Sequence, residues 1–121
     1  MNAATNRRVL VVEDEVMIAM LMEDMLTDLG YEVVGPAMRL EEGVELATTA
    51  QLDMAVLDVN LNGQRSTPIA EILAERGVPF VFATGYGSTG VDEPHNARHV
   101  LKKPFSPDDL DVAISRMIGG S

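Results

Sequence analysis

Apolar residues along this chain recur in two alternating patterns: short β-branched runs, and longer stretches at helical spacing. Arg8-Val9-Leu10-Val11-Val12-Glu13 is a run of the first kind and predicts a strand. Residues 16–29 then carry Ile18, Met22, Met25 and Leu29 at helical spacing, with Glu23, Asp24 and Asp28 off the stripe and Gly30 as a C′ residue. Asp14 or Glu15 is a candidate cap for this helix. Its four methionines read as core filler, the commoner use of methionine at helical spacing. Residues 31–36 predict a second strand closed by a Gly-Pro turn, and Leu40, Val44 and Ala47 mark a second helix, weakened by Gly43. Residues 53–58 predict a third strand. Ser66-Thr67-Pro68 opens a third helix with a hydroxyl cap, Ile69, Ile72 and Leu73 face inward, and Gly77 ends it.

Residues 78–83 predict a fourth strand, followed by the glycine-rich loop Thr84-Gly85-Tyr86-Gly87-Ser88-Thr89-Gly90. The segment from there to Asn96 is a poor helix former, so a short element is expected. Residues 98–101 predict a brief fifth strand. A last helix begins at Ser106-Pro107-Asp108-Asp109, with Ser106 as cap and Leu110, Ala113, Ile114 and Met117 as its buried stripe. Strands alternating with helices imply an α/β fold: a doubly wound, five-stranded parallel sheet with helices on both faces. One domain is expected over residues 1–121, with its core at about 7–118 and no output domain attached.

Composition narrows the function. The chain has no cysteine, so it holds no disulfide, thiolate metal site or thiol nucleophile. It has 19 acidic and 9 basic residues, a formal net charge of −10 that repels nucleic acid and anionic membrane. No apolar stretch is long enough for a signal peptide or a membrane span, so a soluble cytoplasmic protein is expected. Most of the carboxylates serve solubility.

The strand ends carry the chemistry. The first predicted strand ends at Glu13-Asp14, the third at Asp58, the fourth at Thr84, and the fifth feeds Lys103. In a parallel sheet these ends share one edge, where ligands bind. Two like charges about 4 Å apart repel by about 4 kcal/mol at an effective dielectric near 20. Three gathered carboxylates therefore call for a cation or protons, and a hard divalent ion such as Mg²⁺ takes oxygen ligands of this kind. Lys103 offers a positive charge to a phosphoryl oxygen, and Thr84 a hydroxyl donor. Other chemistries fit less well. Each carboxylate taken alone is read as a helix or turn cap. His95 and His99 read as surface residues, and so few histidines disfavour a Ser-His-Asp hydrolase. The glycine-rich loop follows the fourth strand, not the first, and lacks the lysine of a nucleotide-binding cradle.

Glu13-Asp14, Asp58, Thr84 and Lys103-Pro104, in this order over essentially the whole chain, resemble the receiver domain of bacterial two-component response regulators. The resemblance implies that Asp58 accepts a phosphoryl group from a histidine kinase or phosphotransfer protein. It implies that Asp14 and Asp58 bind Mg²⁺ directly, Glu13 through water, and Asn60 through its main-chain carbonyl. Lys103 pairs with the phosphoryl group and Thr84 moves to bond it. The chain would catalyse its own phosphorylation and dephosphorylation as a switch rather than a turnover enzyme. A downstream protein would dock on the fourth helix, fifth strand and fifth helix, about residues 87–118. Phe82-Ala83-Thr84-Gly85-Tyr86 looks like the signature of the FATGUY subgroup, tied to stress-signalling phosphorelays. Two positions depart from the general pattern: Val100 stands where an aromatic switch residue is usual, and Asn62 where proline is usual. Tyr86 is the candidate to take over part of the switching, and with Asn60 to control water access. The alternative is an interaction module of the same fold that works without phosphorylation, or a receiver cut from a larger regulator or hybrid kinase.

Overall fold

A computed structural model describes residues 7–84, 100–102 and 105–118, with the backbone alone at 84, 100, 102, 117 and 118. In chain order the elements are β1 (Arg8–Val12), α1 (Val16–Asp28), β2 (Glu32–Ala37), α2 (Leu40–Thr49), β3 (Met54–Asp58), β4 (Asn60–Leu61), β5 (Gln64–Arg65), α3 (Thr67–Glu75), β6 (Phe80–Thr84), β7 (Val100–Lys102) and α4 (Pro107–Ile118). Five strands form one sheet in the order β2-β1-β3-β6-β7, and every pairing in it is parallel. The strand order reverses between β1 and β3, as in a doubly wound sheet, and ligands of such sheets bind beyond the strand ends at that point. β4 and β5 form a separate antiparallel pair.

The strands read as unbroken apolar runs because the sheet is covered on both faces. Alternate residues go to opposite sides. Leu10, Val12, Ala55, Leu57, Phe80 and Phe82 pack with Ala47 of α2 and Ile69, Ala70 and Leu73 of α3. Val9, Val11, Met54, Val56, Val81 and Ala83 pack with Met22 and Leu26 of α1 and Leu110, Ala113 and Ile114 of α4. Every residue of β3 is buried, Asp58 included. Among the described residues no helix is long and apolar enough to cross a membrane.

The five predicted sheet strands are present, their ends shifted by up to two residues. The segment that follows Thr84 as far as Asn96, where a short element was expected, lies outside the described residues. Gly30 and Gly77 take positive φ (96° and 73°) just past α1 and α3, the left-handed geometry of a helix stop. At α4 the cap is reciprocal: the Asp109 N–H donates to Ser106 Oγ at 3.1 Å, and the Ser106 N–H donates to Asp109 Oδ2 at 3.0 Å.

Three expectations change. Neither Glu15 at the start of α1 nor Ser66 at the start of α3 makes a side-chain capping bond. Ser66 is buried and its hydroxyl has no hydrogen-bond partner among the described residues; its carbonyl instead accepts from the N–H groups of Ile69 and Ala70. The methionines of α1 are also divided. Met22 is buried and Met25 packs beside it, but Met17 is 82% exposed and Met20 59%. The core face of α1 is set by Ala19, Met22 and Leu26, which leaves the first-turn methionines outside it.

Gly43, read from sequence as a weak point of α2, is a packing requirement. A Cβ there would run into Ile69 Cδ1 and come within 3.3 Å of Ile69 Cγ1, and Ile69 is fully buried. Alanine would gain about 1 kcal/mol of helix propensity, but overpacking a closed core costs about 1–3 kcal/mol. Chemical denaturation should therefore show Gly43→Ala to be destabilised. Adding Ile69→Val, which deletes the obstructing methyl, should recover part of the loss, so that the two substitutions are non-additive.

Candidate functional site

The register of the sheet builds the site. Val12 of β1 lies beside Leu57 of β3, and Asp58 beside Ala83 of β6. One step past the first pair, Glu13 and Asp58 leave their strands next to each other. Glu13 is fully buried, and its N–H is fixed to the Ala37 carbonyl at 2.9 Å. Asp14 is half-buried, and Asp58 is 8% exposed. One carboxylate oxygen from each of Glu13, Asp14 and Asp58 falls within 4.8 Å of the others. The three acids that sequence spacing singled out are thus gathered at the carboxyl edge of the sheet.

Main-chain amides hold this cluster in place. The Glu15 N–H donates to Glu13 Oε2 at 3.2 Å, and the Asn60 N–H makes a long contact of 3.5 Å with Asp58 Oδ1. The Asn62 N–H donates to Asp14 Oδ2 at 2.9 Å, joining segments 48 residues apart. Asn60 opens β4, its side-chain oxygen accepts from the Gly63 N–H at 2.8 Å, and Asn62 and Gly63 turn the chain at φ 54° and 88°. Those angles are those of a two-residue type I′ hairpin, for which Asn-Gly is the favoured pair. The periodicity of the chain predicts no element between the third strand and the third helix, so this hairpin adds to the expected fold. The dipeptide itself was the available signal.

The remaining predicted residues are placed less fully. Thr84 is the last residue of β6 and pairs in register with Lys102 of β7, so its backbone reaches the same edge. Val100 lies in β7 beside Phe82. Lys103, Gly85 and Tyr86 lie outside the described residues, as does the whole stretch 87–99 that opens the expected docking face. One surface runs against the reading of the α1 methionines as core filler. Val16, Met17, Met20 and Leu21, between 53% and 82% exposed, form an apolar patch on the first turns of α1, which begin two residues after Asp14. Exposed apolar patches rimmed by charge mark interaction sites, and Glu15, Glu23 and Asp24 supply such a rim in the sequence.

Buried carboxylates at these separations suit a hard, oxygen-seeking divalent cation, and the donor set fits Mg²⁺. A ligand that binds only the folded state raises stability by mass action. Mg²⁺ should therefore raise the melting temperature of the wild-type chain in a thermal scan. The rise should shrink in Asp14→Asn and in Asp58→Asn, while added Na⁺ at equal ionic strength should leave all three alike.

Known proteins agree with this geometry. The profile of the response regulator receiver domain matches residues 9–115. The solution structure of SdrG from Sphingomonas melonis Fr1 is similar with a TM-score of 0.83 at 40% identity, over 98% of this chain and 99% of that one. The anti-anti-sigma factor PhyR from Bartonella quintana gives a TM-score of 0.82 at 28% identity, over 95% of this chain and 48% of that one. The transcriptional regulatory protein PdtaR of Mycobacterium tuberculosis is 37% identical over 123 residues, which cover 95% of this chain and 60% of PdtaR. The chain thus spans well under two thirds of that curated relative, and about half of PhyR. With the acidic cluster at the end of the β2-β1-β3-β6-β7 parallel sheet, these likenesses establish that the chain belongs to the response regulator receiver domains of two-component signalling.

Proposed function

We propose that this receiver is a phosphorylation switch in which Asp58 is the acceptor. The observation that carries the reading is the meeting of Glu13, Asp14 and Asp58 at the sheet edge, with Asp58 buried yet still 8% open to solvent. In the proposed step a carboxylate oxygen of Asp58 forms a bond to the phosphorus of a phosphohistidine. The P–N bond breaks, and its electron pair returns to the donor imidazole. An aspartate is a weak nucleophile toward phosphorus, so rate comes from positioning and from neutralising charge on the phosphoryl oxygens. Mg²⁺, held by Asp14, Asp58, the Asn60 carbonyl and through water by Glu13, would supply that neutralisation when bound. Lys103 would contribute a second positive charge, and Thr84 a hydroxyl that bonds the phosphoryl group. The product is a mixed anhydride, whose own hydrolysis makes the signal transient.

The finer assignments belong to the same proposal. Phe82-Ala83-Thr84-Gly85-Tyr86 supports membership of the FATGUY subgroup and a role in a cytoplasmic stress phosphorelay; the likeness to PhyR, an anti-anti-sigma factor, is in keeping with it. Val100 offers no aromatic ring, so Tyr86 would carry part of the switching and, with Asn60, limit water at the phosphoaspartate. The output partner would dock on about residues 87–118. The apolar patch of Met17 and Met20 on α1 suits the opposite task of receiving the donor, which has to approach Asp58 over the same edge.

Two measurements test these readings. Incubation with Mg²⁺ and an acyl phosphate, followed by intact-protein mass spectrometry, should show one phosphoryl adduct in the wild type and none in Asp58→Asn. No adduct would favour an interaction module that works without phosphorylation, and one that survives Asp58→Asn would overturn Asp58 as the acceptor. A Met17→Glu/Met20→Glu variant should slow transfer from a phosphohistidine protein while labelling by the acyl phosphate proceeds as before.

A further inference from the structure

The strand β3 ends at Asp58, and two residues later the chain enters the β4–β5 hairpin. The ladder of this hairpin closes at Leu61 opposite Gln64, so the Asn62 N–H takes no part in it. The turn leaves that donor spare, and it is spent on a carboxylate from another part of the chain: Asp14 Oδ2, at 2.9 Å. Two further bonds hold the turn in place. Asn60 Oδ1 accepts from the Gly63 N–H at 2.8 Å, and the Val59 carbonyl accepts from the Ser66 N–H at 2.9 Å, clamping the base of the hairpin. Asn62 and Gly63 both hold positive φ, which proline cannot adopt, and proline has no N–H to give.

A carboxylate has two oxygens and about four lone-pair directions. One amide on Asp14 fixes the rotation of the group and leaves its other positions open to a cation. Hydrogen bonds of this kind orient metal ligands, and losing them typically weakens metal binding. We propose that the main-chain N–H of Asn62 is a positioning group for Asp14, so that cation affinity at the acidic cluster depends on the Asn62–Gly63 hairpin. This rests on the reading of Glu13, Asp14 and Asp58 as the cation site. It also gives the hairpin a double part in that reading, since Asn60 contributes its carbonyl from the same ribbon. Side-chain identity at position 62 matters through the backbone it permits: a residue that tolerates left-handed φ and keeps its N–H.

The test removes the one donor. The 121-residue chain carrying an ester in place of the Leu61–Asn62 amide keeps every side chain and loses that N–H, while the Leu61 carbonyl stays in place as a weaker acceptor. Titrated with Mg²⁺ by calorimetry, it should bind about fivefold more weakly than wild type, the order expected of one charge-assisted bond at a half-open site. Asn62→Gly keeps both the donor and the left-handed turn, and should restore affinity to within about twofold of wild type. A second readout does not depend on the ester chain folding. In metal-free wild-type protein the Asn62 amide should exchange its hydrogen slowly for a turn residue, and Asp14→Ala should abolish that protection. Equal Mg²⁺ affinity of ester and wild type, or equal exchange in wild type and Asp14→Ala, overturns the positioning role while leaving the cation site intact. A wild-type chain that binds no Mg²⁺ overturns both.

Discussion

The parallel register of β1, β3 and β6 is the constraint on which the site depends. With Val12 locked beside Leu57 and Asp58 beside Ala83, Glu13 and Asp58 cannot separate without a slip of the sheet. A slip of one residue would turn Val9, Val11, Met54 and Val56 to the opposite face and break both cores at once. The carboxylates are therefore held together by apolar burial at the strand interiors, several residues away from them. Their mutual repulsion, about 4 kcal/mol for a pair at about 4 Å, is a sizeable fraction of the 5–15 kcal/mol by which domains are stable. The strands cannot relieve it, so relief has to come from what binds at the edge or from the loops around it.

Those loops are tied, not free. Asp14 lies two residues past the end of β1, and its carboxylate is anchored to the turn that follows β3. The two segments that carry the acids thus brace each other through a main-chain bond independent of the sheet ladder. α1 begins immediately after the acid pair and exposes Met17 and Met20, while its next turns bury Met22 and Leu26. The same helix covers the sheet with one face and offers an apolar surface with the other.

Much of the fold and the acidic cluster was legible in the sequence, because a sheet buried on both faces forces continuous apolar runs whose ends are easily found. Asp58 ends such a run, and so does Glu13; parallel topology then does the gathering. What escaped lies below the length at which a period can be seen. β4 and β5 have two residues each, so no alternation betrays them, and only the Asn62-Gly63 dipeptide spoke for a hairpin. Residue type also cannot tell a methionine that meets a partner within the chain from one that does not. Met17 and Met22 are alike in type, and their places about 140° apart round α1 separate them. Gly43 was misjudged because propensity counts the backbone cost, whereas its use is the close approach of Ile69 across the α2–α3 contact. Ser66 was read as a cap from residue type, yet its hydroxyl is buried without a partner and its carbonyl does the local bonding.

If Asp58 accepts a phosphoryl group as proposed, its signal would begin with the elements that touch it, and the register limits the choices. β6 is the neighbour of β3 on one side, and through Thr84 and Phe82 it pairs with Lys102 and Val100 of β7. Driving a two-state equilibrium from 1:99 to 99:1 takes about 5.5 kcal/mol of differential interaction. One neutral hydrogen bond contributes about 1 kcal/mol net, so Thr84 alone is too weak a lever. A charged group that gains several partners at once is strong enough, and the edge beside Asp58 gathers the means: the hydroxyl-bearing end of β6, the strand that feeds Lys103, and the hairpin that holds Asp14. Val100 brings no aromatic ring to the proposed relay, and the charge proposed to drive it would still arrive at Asp58. On that reading the switching free energy would be concentrated at the strand ends, where a phosphoryl group on Asp58 would change the charge balance of its neighbours in one step.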